Sequence, residues 1–192
     1  MLRNIMRKKK GEKGFTLIEL LVVAAIIGIL LAIAIPNLIK ARISANEANA
    51  KKALQTLRDA EGEYFEQDLD NAGGRDFTDS IGVLRNPENT GLPEDALIDS
   101  SFDAALSTSG TADCADPKAG YCIAGDFGSF TPNGAGGFDD FGWESSYTSF
   151  RKTGRRDFTV YGDGVIRCTV DTSISSGTIG GFAGERTDGA CD

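Results

Sequence analysis

An apolar run of 21 residues near the N-terminus, from Phe15 to Ile35, constrains this chain more than any other feature. As a helix rising about 1.5 Å per residue, it is roughly 30 Å long, which matches the hydrocarbon core of a membrane. Six bases and one acid, Glu12, precede the run, and such an excess of positive charge favours a cytoplasmic position for the flanking segment. The sequence therefore predicts a membrane-spanning helix with its N-terminus in the cytoplasm and everything after Lys40 outside.

One carboxylate, Glu19, interrupts the apolar run. An ionised acid inside a bilayer costs on the order of 2.5 kcal/mol or more, so it usually has a partner. A secretory signal peptide has a shorter, uncharged apolar region, and an ordinary anchor would leave Glu19 unpaired. Cleavage after Gly14 would give Phe15 a free amine four residues before Glu19, and a helix places such positions on one face. The amine could pair with Glu19 of its own chain or of another copy.

The segment GFTLIELLVVAAIIGILLAIAIP resembles the N-terminal signature of type IV pilins and of the pseudopilins of type II secretion. The resemblance covers about residues 11 to 58. It implies that a prepilin peptidase cleaves between Gly14 and Phe15 and N-methylates Phe15. It also implies that Glu19 docks the subunit onto the N-terminus of a neighbouring copy in a filament. Further partners implied by the resemblance are an inner-membrane assembly platform and its ATPase.

Two residues of the apolar segment weaken a helix. Pro36 has no backbone N–H and clashes with the preceding turn, and Gly28 lowers helix propensity. Pilin-like chains use this stretch to bend or unwind in a filament, which the resemblance implies for Gly28 to Pro36. A harmless membrane kink is the alternative, because both residues are common in spanning helices.

Beyond Pro36, apolar residues continue at three- and four-residue spacing to about Gln67, which predicts an amphipathic helix. Charged residues fill much of the remaining surface, as in a helix that covers a globular head. The apolar stripe comprises Ala50, Leu54, Leu57, Ala60 and Tyr64, and the charged positions include Lys40, Arg42, Glu47, Lys51, Lys52, Arg58 and Glu61.

The rest of the chain predicts an antiparallel sheet. Residues 68–120 are rich in Gly, Asp, Ser and Thr and indicate an irregular connection with short helices near Ser80–Leu84 and Pro93–Leu97. Strand patterns follow, and Gly162-Asp163-Gly164 favours a hairpin turn between the last two. The predicted strands are Tyr121–Ala124, Ser146–Lys152, Phe158–Tyr161 and Val165–Val170.

The expected fold class is α+β, with a long N-terminal helix whose second half packs on the C-terminal antiparallel sheet. The same architecture is implied by the resemblance to type IV pilins. The expected organisation is a leader at 1–14, a membrane or filament-core helix at 15–36, an amphipathic helix at 37–67 and a head at 68–192. Within the head, 68–120 is the irregular connection, and 121–192 holds the sheet and a disulfide-bounded tail.

The head is strongly acidic, since 25 of the 28 acids but only nine of the 20 bases lie at or beyond Asp59. Loss of residues 1–14 removes six bases and one acid and changes the net charge from −8 to −13. Such a surface repels nucleic acid phosphate, so no nucleic acid partner is expected. One local basic cluster is either a solvated hairpin end or a phosphate- or partner-binding site; it comprises Arg151, Lys152, Arg155 and Arg156.

Four cysteines lie in the part of the chain expected outside the cytoplasm, and none has the C-x-x-C spacing of zinc or redox sites. Disulfides are therefore expected, although the sequence allows three connectivities. Pairing Cys114 with Cys122 and Cys168 with Cys191 would give short loops. The second pair would enclose a glycine-rich tail that resembles the disulfide-bounded C-terminal region of many pilins.

A partial calcium-loop pattern follows the long helix. Asp68, Asp70, Asp76 and Asp79 fall at positions 1, 3, 9 and 12 of an EF-hand-like loop. The fit is incomplete, because position 5 is Ala72 and position 12 lacks the longer glutamate. An acidic solvated turn is the alternative to a Ca²⁺ site.

The sequence lacks the signals of an enzyme: there is no histidine, no G-x-S-x-G and no phosphate-binding glycine loop. The expected function is that of a structural subunit, which is processed, held in the bacterial inner membrane and polymerised through its N-terminal helix into an extracellular type IV pilus-like filament. Two alternatives are a pseudopilin in a short periplasmic filament and a minor tip subunit acting as an adhesin.

Overall fold

A computed structural model describes residues 14–68, 74–87, 95–106, 114–126, 130, 132–133, 137–170 and 188–191. The chain forms two compact units, residues 1–39 and residues 40–192. We call the second unit the head. A single helix, α1, begins in the first unit and ends in the head.

Helix α1 covers Leu17–Gln67, 51 residues, with Pro36 inside it. Among the described residues it is the one helix long and apolar enough to cross a membrane. The apolar side chains of the first unit are exposed, from Leu17 at 80% to Ile39 at 46%. No core covers them, so this half of α1 presents its apolar surface outward.

The second half of α1 carries the predicted apolar stripe, and that prediction is confirmed. Ala50, Leu54, Leu57, Ala60 and Tyr64 are all buried, with Leu54 and Leu57 fully so. They form one cluster with aromatic residues of the sheet. The core therefore lies between this half of α1 and the strands, and its aromatic members include Tyr121, Trp143, Tyr147 and Phe158.

The sheet has four antiparallel strands in the order β1-β2-β3-β4, so each strand pairs with the next along the chain. The predicted α+β architecture is confirmed. The first, third and fourth strands agree with the predicted positions within one residue at each end. The bounds are β1 Tyr121–Gly125, β2 Gly142–Tyr147, β3 Asp157–Tyr161 and β4 Ile166–Thr169.

The predicted second strand, Ser146–Lys152, was wrong in position. Strand β2 ends at Tyr147, and Arg151 adopts a left-handed backbone conformation with φ 58° in the following loop. The cause is that β2 is central and buried along its whole length, including Ser145 and Ser146. Its core positions therefore lack the apolar and polar alternation that marks a half-exposed strand.

Two short helices lie in the connection between α1 and the sheet. Helix α2, Ile81–Arg85, begins after the cap Ser80 and lies within one residue of its predicted position. Helix α3, Ser101–Ala105, was not predicted. The helix expected near Pro93–Leu97 falls partly outside the described residues, and Asp95–Leu97 are not α-helical.

Candidate assembly site and the head that carries it

The N-terminal end of α1 is closed by reciprocal hydrogen bonds between Thr16 and Glu19. The backbone N–H of Thr16 donates to Glu19 Oε2 at 2.8 Å, and its hydroxyl donates to the same oxygen at 2.7 Å. In return, the backbone N–H of Glu19 donates to Thr16 Oγ1 at 3.3 Å. This is a capping box, in which a threonine and a glutamate three residues later satisfy donors at a helix start.

Thr16 was missed by the sequence analysis, although the pattern T-x-x-E before an apolar run is a signal for it. Both bonds from Thr16 end on Oε2. Within the described part of the chain, Glu19 Oε1 accepts no hydrogen bond. The carboxylate is thus held in place by its own chain through one oxygen and keeps the other available to an outside donor.

The expected processing residues directly precede this cap. Phe15 is 80% exposed, and no atom would lie within 4 Å of a Cβ added to Gly14. The backbone here is therefore open to an enzyme, because no packing of the described chain covers it. Cleavage between Gly14 and Phe15 remains a prediction.

The two expected flexibility residues lie inside α1. The helix continues from Leu17 through Gly28 and Pro36 to Gln67. A Cβ added to Gly28 would meet no atom within 4 Å, so close packing within this chain does not require the glycine. A role in bending stays a prediction.

Each disulfide joins a cysteine to the next cysteine along the chain: Cys114 to Cys122 and Cys168 to Cys191. Cys122 lies in β1, and Cys168 lies in β4, which are the two edge strands. Backbone bonds reinforce the second bridge, since Cys168 N–H donates to Gly189 O at 3.1 Å and Cys191 N–H donates to Ile166 O at 3.0 Å. Each edge of the sheet is thus tied to chain outside it.

The calcium-loop residues give no described metal centre. Asp70 lies outside the described residues, Asp76 is 2% exposed, and Asp79 is exposed. In the ranges that the structure describes, no three Asp, Glu, His or Cys side chains come together as a metal-binding group. Calcium binding stays a prediction from the sequence.

Glu47 was expected at the surface of α1, and this was wrong, because it is 5% exposed. Its Oε2 accepts from Arg156 Nη2 at 2.7 Å and from Arg156 Nε at 3.0 Å, and its Oε1 accepts from the Arg155 N–H at 3.1 Å. One residue earlier in α1, Asn46 Nδ2 donates to Thr153 O at 2.8 Å. These contacts fasten the loop between β2 and β3 to the first turns of α1 in the head.

Glu61 was also expected at the surface and is fully buried. Trp143 Nε1 donates to its Oε1 at 2.9 Å, and the Thr78 N–H donates to its Oε2 at 3.2 Å. Burial raises the pKa of Glu61 from near 4.5 to about 8, although the two donors oppose the shift. The carboxyl therefore joins α1 to β2 at the centre of the head, and its raised pKa favours the protonated form.

The predicted basic cluster is divided by the structure. Arg156 is bound to Glu47, whereas Arg151, Lys152 and Arg155 are exposed. The three exposed bases belong to the loop 149–156, which we call the basal loop. It lies against Asn46 and Glu47, close to where α1 enters the head.

A close contact fixes the basal loop at Gly154. A Cβ added there would lie 2.0 Å from the Tyr121 hydroxyl and 2.8 Å from Tyr147 Cβ, and the Tyr121 hydroxyl itself donates to Arg156 O at 2.9 Å. We expect Gly154→Ala to lower the free energy of unfolding by about 2 kcal/mol through overpacking. Urea denaturation followed by the fluorescence of Trp143 measures this.

Gly62→Ala is the matched control for that variant. Gly62 lies inside α1, and an added Cβ there meets nothing within 4 Å. The alanine should stabilise the helix by up to about 1 kcal/mol. Equal effects of the two substitutions would contradict the packing assigned to Gly154.

Comparison with known proteins agrees with the N-terminal geometry. Residues 9–35 match the family model described as the prokaryotic N-terminal methylation motif. The type IV major pilin protein PilA of Myxococcus xanthus is 37% identical over 134 residues, which cover 69% of this chain and 57% of that pilin. No solved structure matches the chain.

Two further relatives come from other bacteria. A fimbrial protein of Dichelobacter nodosus is 41% identical over 104 residues, covering 53% of this chain and 62% of the relative. The type IV wide pilus major component PilA4 of Thermus thermophilus is 63% identical over 38 residues, covering 20% of this chain and 29% of the relative. In each case the chain spans less than two thirds of the relative's length. The chain is thus similar at its N-terminus to proteins with the prokaryotic methylation motif and, over part of its length, to type IV pilins and fimbrial proteins.

Proposed function

We propose that the chain is a structural subunit, not an enzyme, that polymerises through the first half of α1 into an extracellular type IV pilus-like filament. The observation that carries the proposal is the first half of α1, whose apolar side chains are exposed and which begins with a capped carboxylate. Exposed apolar area of this extent needs either lipid or other helices around it. A membrane meets that need before assembly, and copies of the same helix meet it in a filament.

The proposed assembly step follows from the two oxygens of Glu19. Thr16 donates both of its hydrogen bonds to Oε2, so Oε1 can accept a hydrogen bond from a partner. After cleavage behind Gly14, the methylated amine of Phe15 on a neighbouring copy is a cationic donor of suitable chemistry. A charge-assisted pair in an apolar setting is stronger than a neutral hydrogen bond. It would select the axial position at which each subunit joins.

The further partners in this proposal are a prepilin peptidase, an inner-membrane assembly platform and its ATPase. Before assembly, the chain spans the inner membrane once with its N-terminus in the cytoplasm. The relatives named as major pilins and major pilus components favour a main filament subunit. Their names describe those proteins, and for this chain the role is proposed.

Sheared surface filaments from the producing bacterium test the proposal. We expect this chain to dominate the protein content of the preparation, as the main subunit must. A trace amount would instead indicate a minor tip subunit. A chain that is absent from surface filaments but present on the periplasmic side of the inner membrane would favour a pseudopilin.

Processing gives a second, independent test. Gly14→Val should leave a membrane-retained precursor that is 14 residues longer than the mature chain, because the peptidase needs a small residue at the cut. The substitution meets no atom of the described chain within 4 Å, so a change in folding does not account for the effect. Immunoblotting and mass spectrometry of the N-terminus measure it, and normal-sized protein would contradict recognition at Gly14.

A further inference from the structure

The head changes the sign of its charge at the end where α1 enters it. Between residues 40 and 50 there are two bases, Lys40 and Arg42, and one acid, Glu47. The basal loop, which lies against this part of α1, adds bases and contains no acid. Everything else in the head contributes an excess of acids. One end is therefore cationic on an otherwise anionic body.

Ion pairing leaves this end positively charged. Glu47 is 5% exposed and is neutralised by Arg156. Among the described residues, none of the remaining exposed bases takes part in an ion pair, and Arg151 packs its guanidinium 5.3 Å from the centre of the Phe150 ring. The exposed bases at this end of the head are Lys40, Arg42, Arg151, Lys152 and Arg155.

The position of the basal loop along α1 follows from its contacts inside the head. Thr153 O binds Asn46, and the Arg155 N–H binds Glu47. Ile43 is only 7% exposed, so the head covers α1 to within one turn of Lys40.

We propose that this cationic end binds the anionic phospholipid headgroups of the membrane in which the first half of α1 is anchored. The inference rests on the membrane-spanning step of the proposed function. Lys40 directly follows the apolar segment in the sequence, and the Debye length is about 8 Å at physiological salt. Juxtamembrane bases are attracted to anionic lipid over that range. The acidic remainder of the head is repelled, so the attraction also orients the subunit before assembly.

The rate at which Lys152 reacts with an acylating reagent tests this surface in the full chain. Single copies are reconstituted in nanodiscs of phosphatidylcholine alone, or of equal parts phosphatidylcholine and phosphatidylglycerol. Acylation by an uncharged, water-soluble lysine reagent is then measured by mass spectrometry, with exposed Lys52 as the internal reference. We expect Lys152 to react about fivefold more slowly in the anionic discs. The protection should disappear near 1 M salt, where the Debye length is about 3 Å.

A charge variant and a matched control locate the effect. Arg151→Gln/Arg155→Gln should abolish the protection of Lys152, because it removes two bases of the same loop. Arg75→Gln makes the same kind of change beside Glu66, near the other end of α1 in the head, and should preserve it.

Equal rates in both discs, with the chain inserted, would overturn the lipid surface and leave the filament proposal standing. Protection that requires two copies per disc and ignores lipid charge would also overturn it, and would assign the cationic end to the acidic surface of a second copy. A chain that inserts in neither disc would overturn this inference together with the membrane step of the proposed function.

Discussion

Glu19→Gln should reduce filament yield at least about tenfold while the chain still enters the membrane. The substitution keeps the size of the side chain and removes its charge, so the proposed pair with a neighbouring amine would lose its ionic part. A hydrogen bond to a charged group contributes about 1.5–3 kcal/mol, and 1.4 kcal/mol is a tenfold change in an equilibrium. Membrane insertion should hold or improve, because the charged form is the costly one in lipid. Sheared-filament yield and membrane fractionation give the two measurements.

Thr16→Val is the control that separates docking from helix capping. It removes the hydroxyl that bonds to Glu19 Oε2 and leaves the carboxylate charged. The loss of a cap costs about 1 kcal/mol, so filament yield should fall less than in Glu19→Gln. If the two variants lose yield equally, Glu19 acts through the start of α1, and the docking role fails.

Glu61→Ala should lower the free energy of unfolding of the head by about 3 kcal/mol or more. It leaves the Trp143 Nε1–H and the Thr78 N–H without their acceptor in a fully buried site, and each unsatisfied buried donor costs about 1–3 kcal/mol. Urea denaturation of the full chain in detergent, followed by the fluorescence of Trp143, the only tryptophan, measures the loss. Glu63→Ala, an exposed position on the same helix, should change stability little.

The pH dependence of stability gives Glu61 a separate signature. Its folded pKa is raised to about 8, above the unfolded value near 4.5. The contribution of Glu61 is therefore fully present below about pH 4.5 and is lost as pH rises through about 8. Glu61→Gln does not titrate, so its stability relative to the parent chain should increase between pH 5 and pH 8. A constant difference across that range would contradict the raised pKa.

Local pattern was enough to predict the elements that carry their own periodicity. The stripe from Ala50 to Tyr64 predicted the buried face of α1, and Gly162-Asp163-Gly164 predicted the hairpin between β3 and β4. The roles of Glu47 and Glu61 were not predictable in this way, because their partners are 109 and 82 residues away in the chain. From local sequence alone, a glutamate on a helix is expected to face solvent, because the distant group that donates a hydrogen bond to it is not part of the local pattern.

The residues of the candidate site also fall into those that a local motif predicts and those that depend on the fold. Gly14, Phe15 and Glu19 follow from a contiguous motif, and Thr16 was available from the T-x-x-E pattern. The separation of Arg156 from Arg151, Lys152 and Arg155 was not available, since it depends on which base reaches Glu47. The four bases are close in sequence, but in the fold one of them pairs with Glu47 and the other three are exposed.

The disulfides at Cys122 and Cys168 bear on the form of the proposed filament. Free edge strands offer unpaired backbone groups to another molecule, and crowded subunits then risk joining sheet to sheet as amyloid does. Here β1 also meets Leu106 through a bridge at Ile123, and β4 meets Ala190 at Arg167. Both margins of the sheet are therefore paired with segments of the same molecule, and a disulfide joins each edge strand to chain outside the sheet. In the proposed filament, growth by strand addition would be obstructed, and helix packing would be the remaining way for copies to add in order.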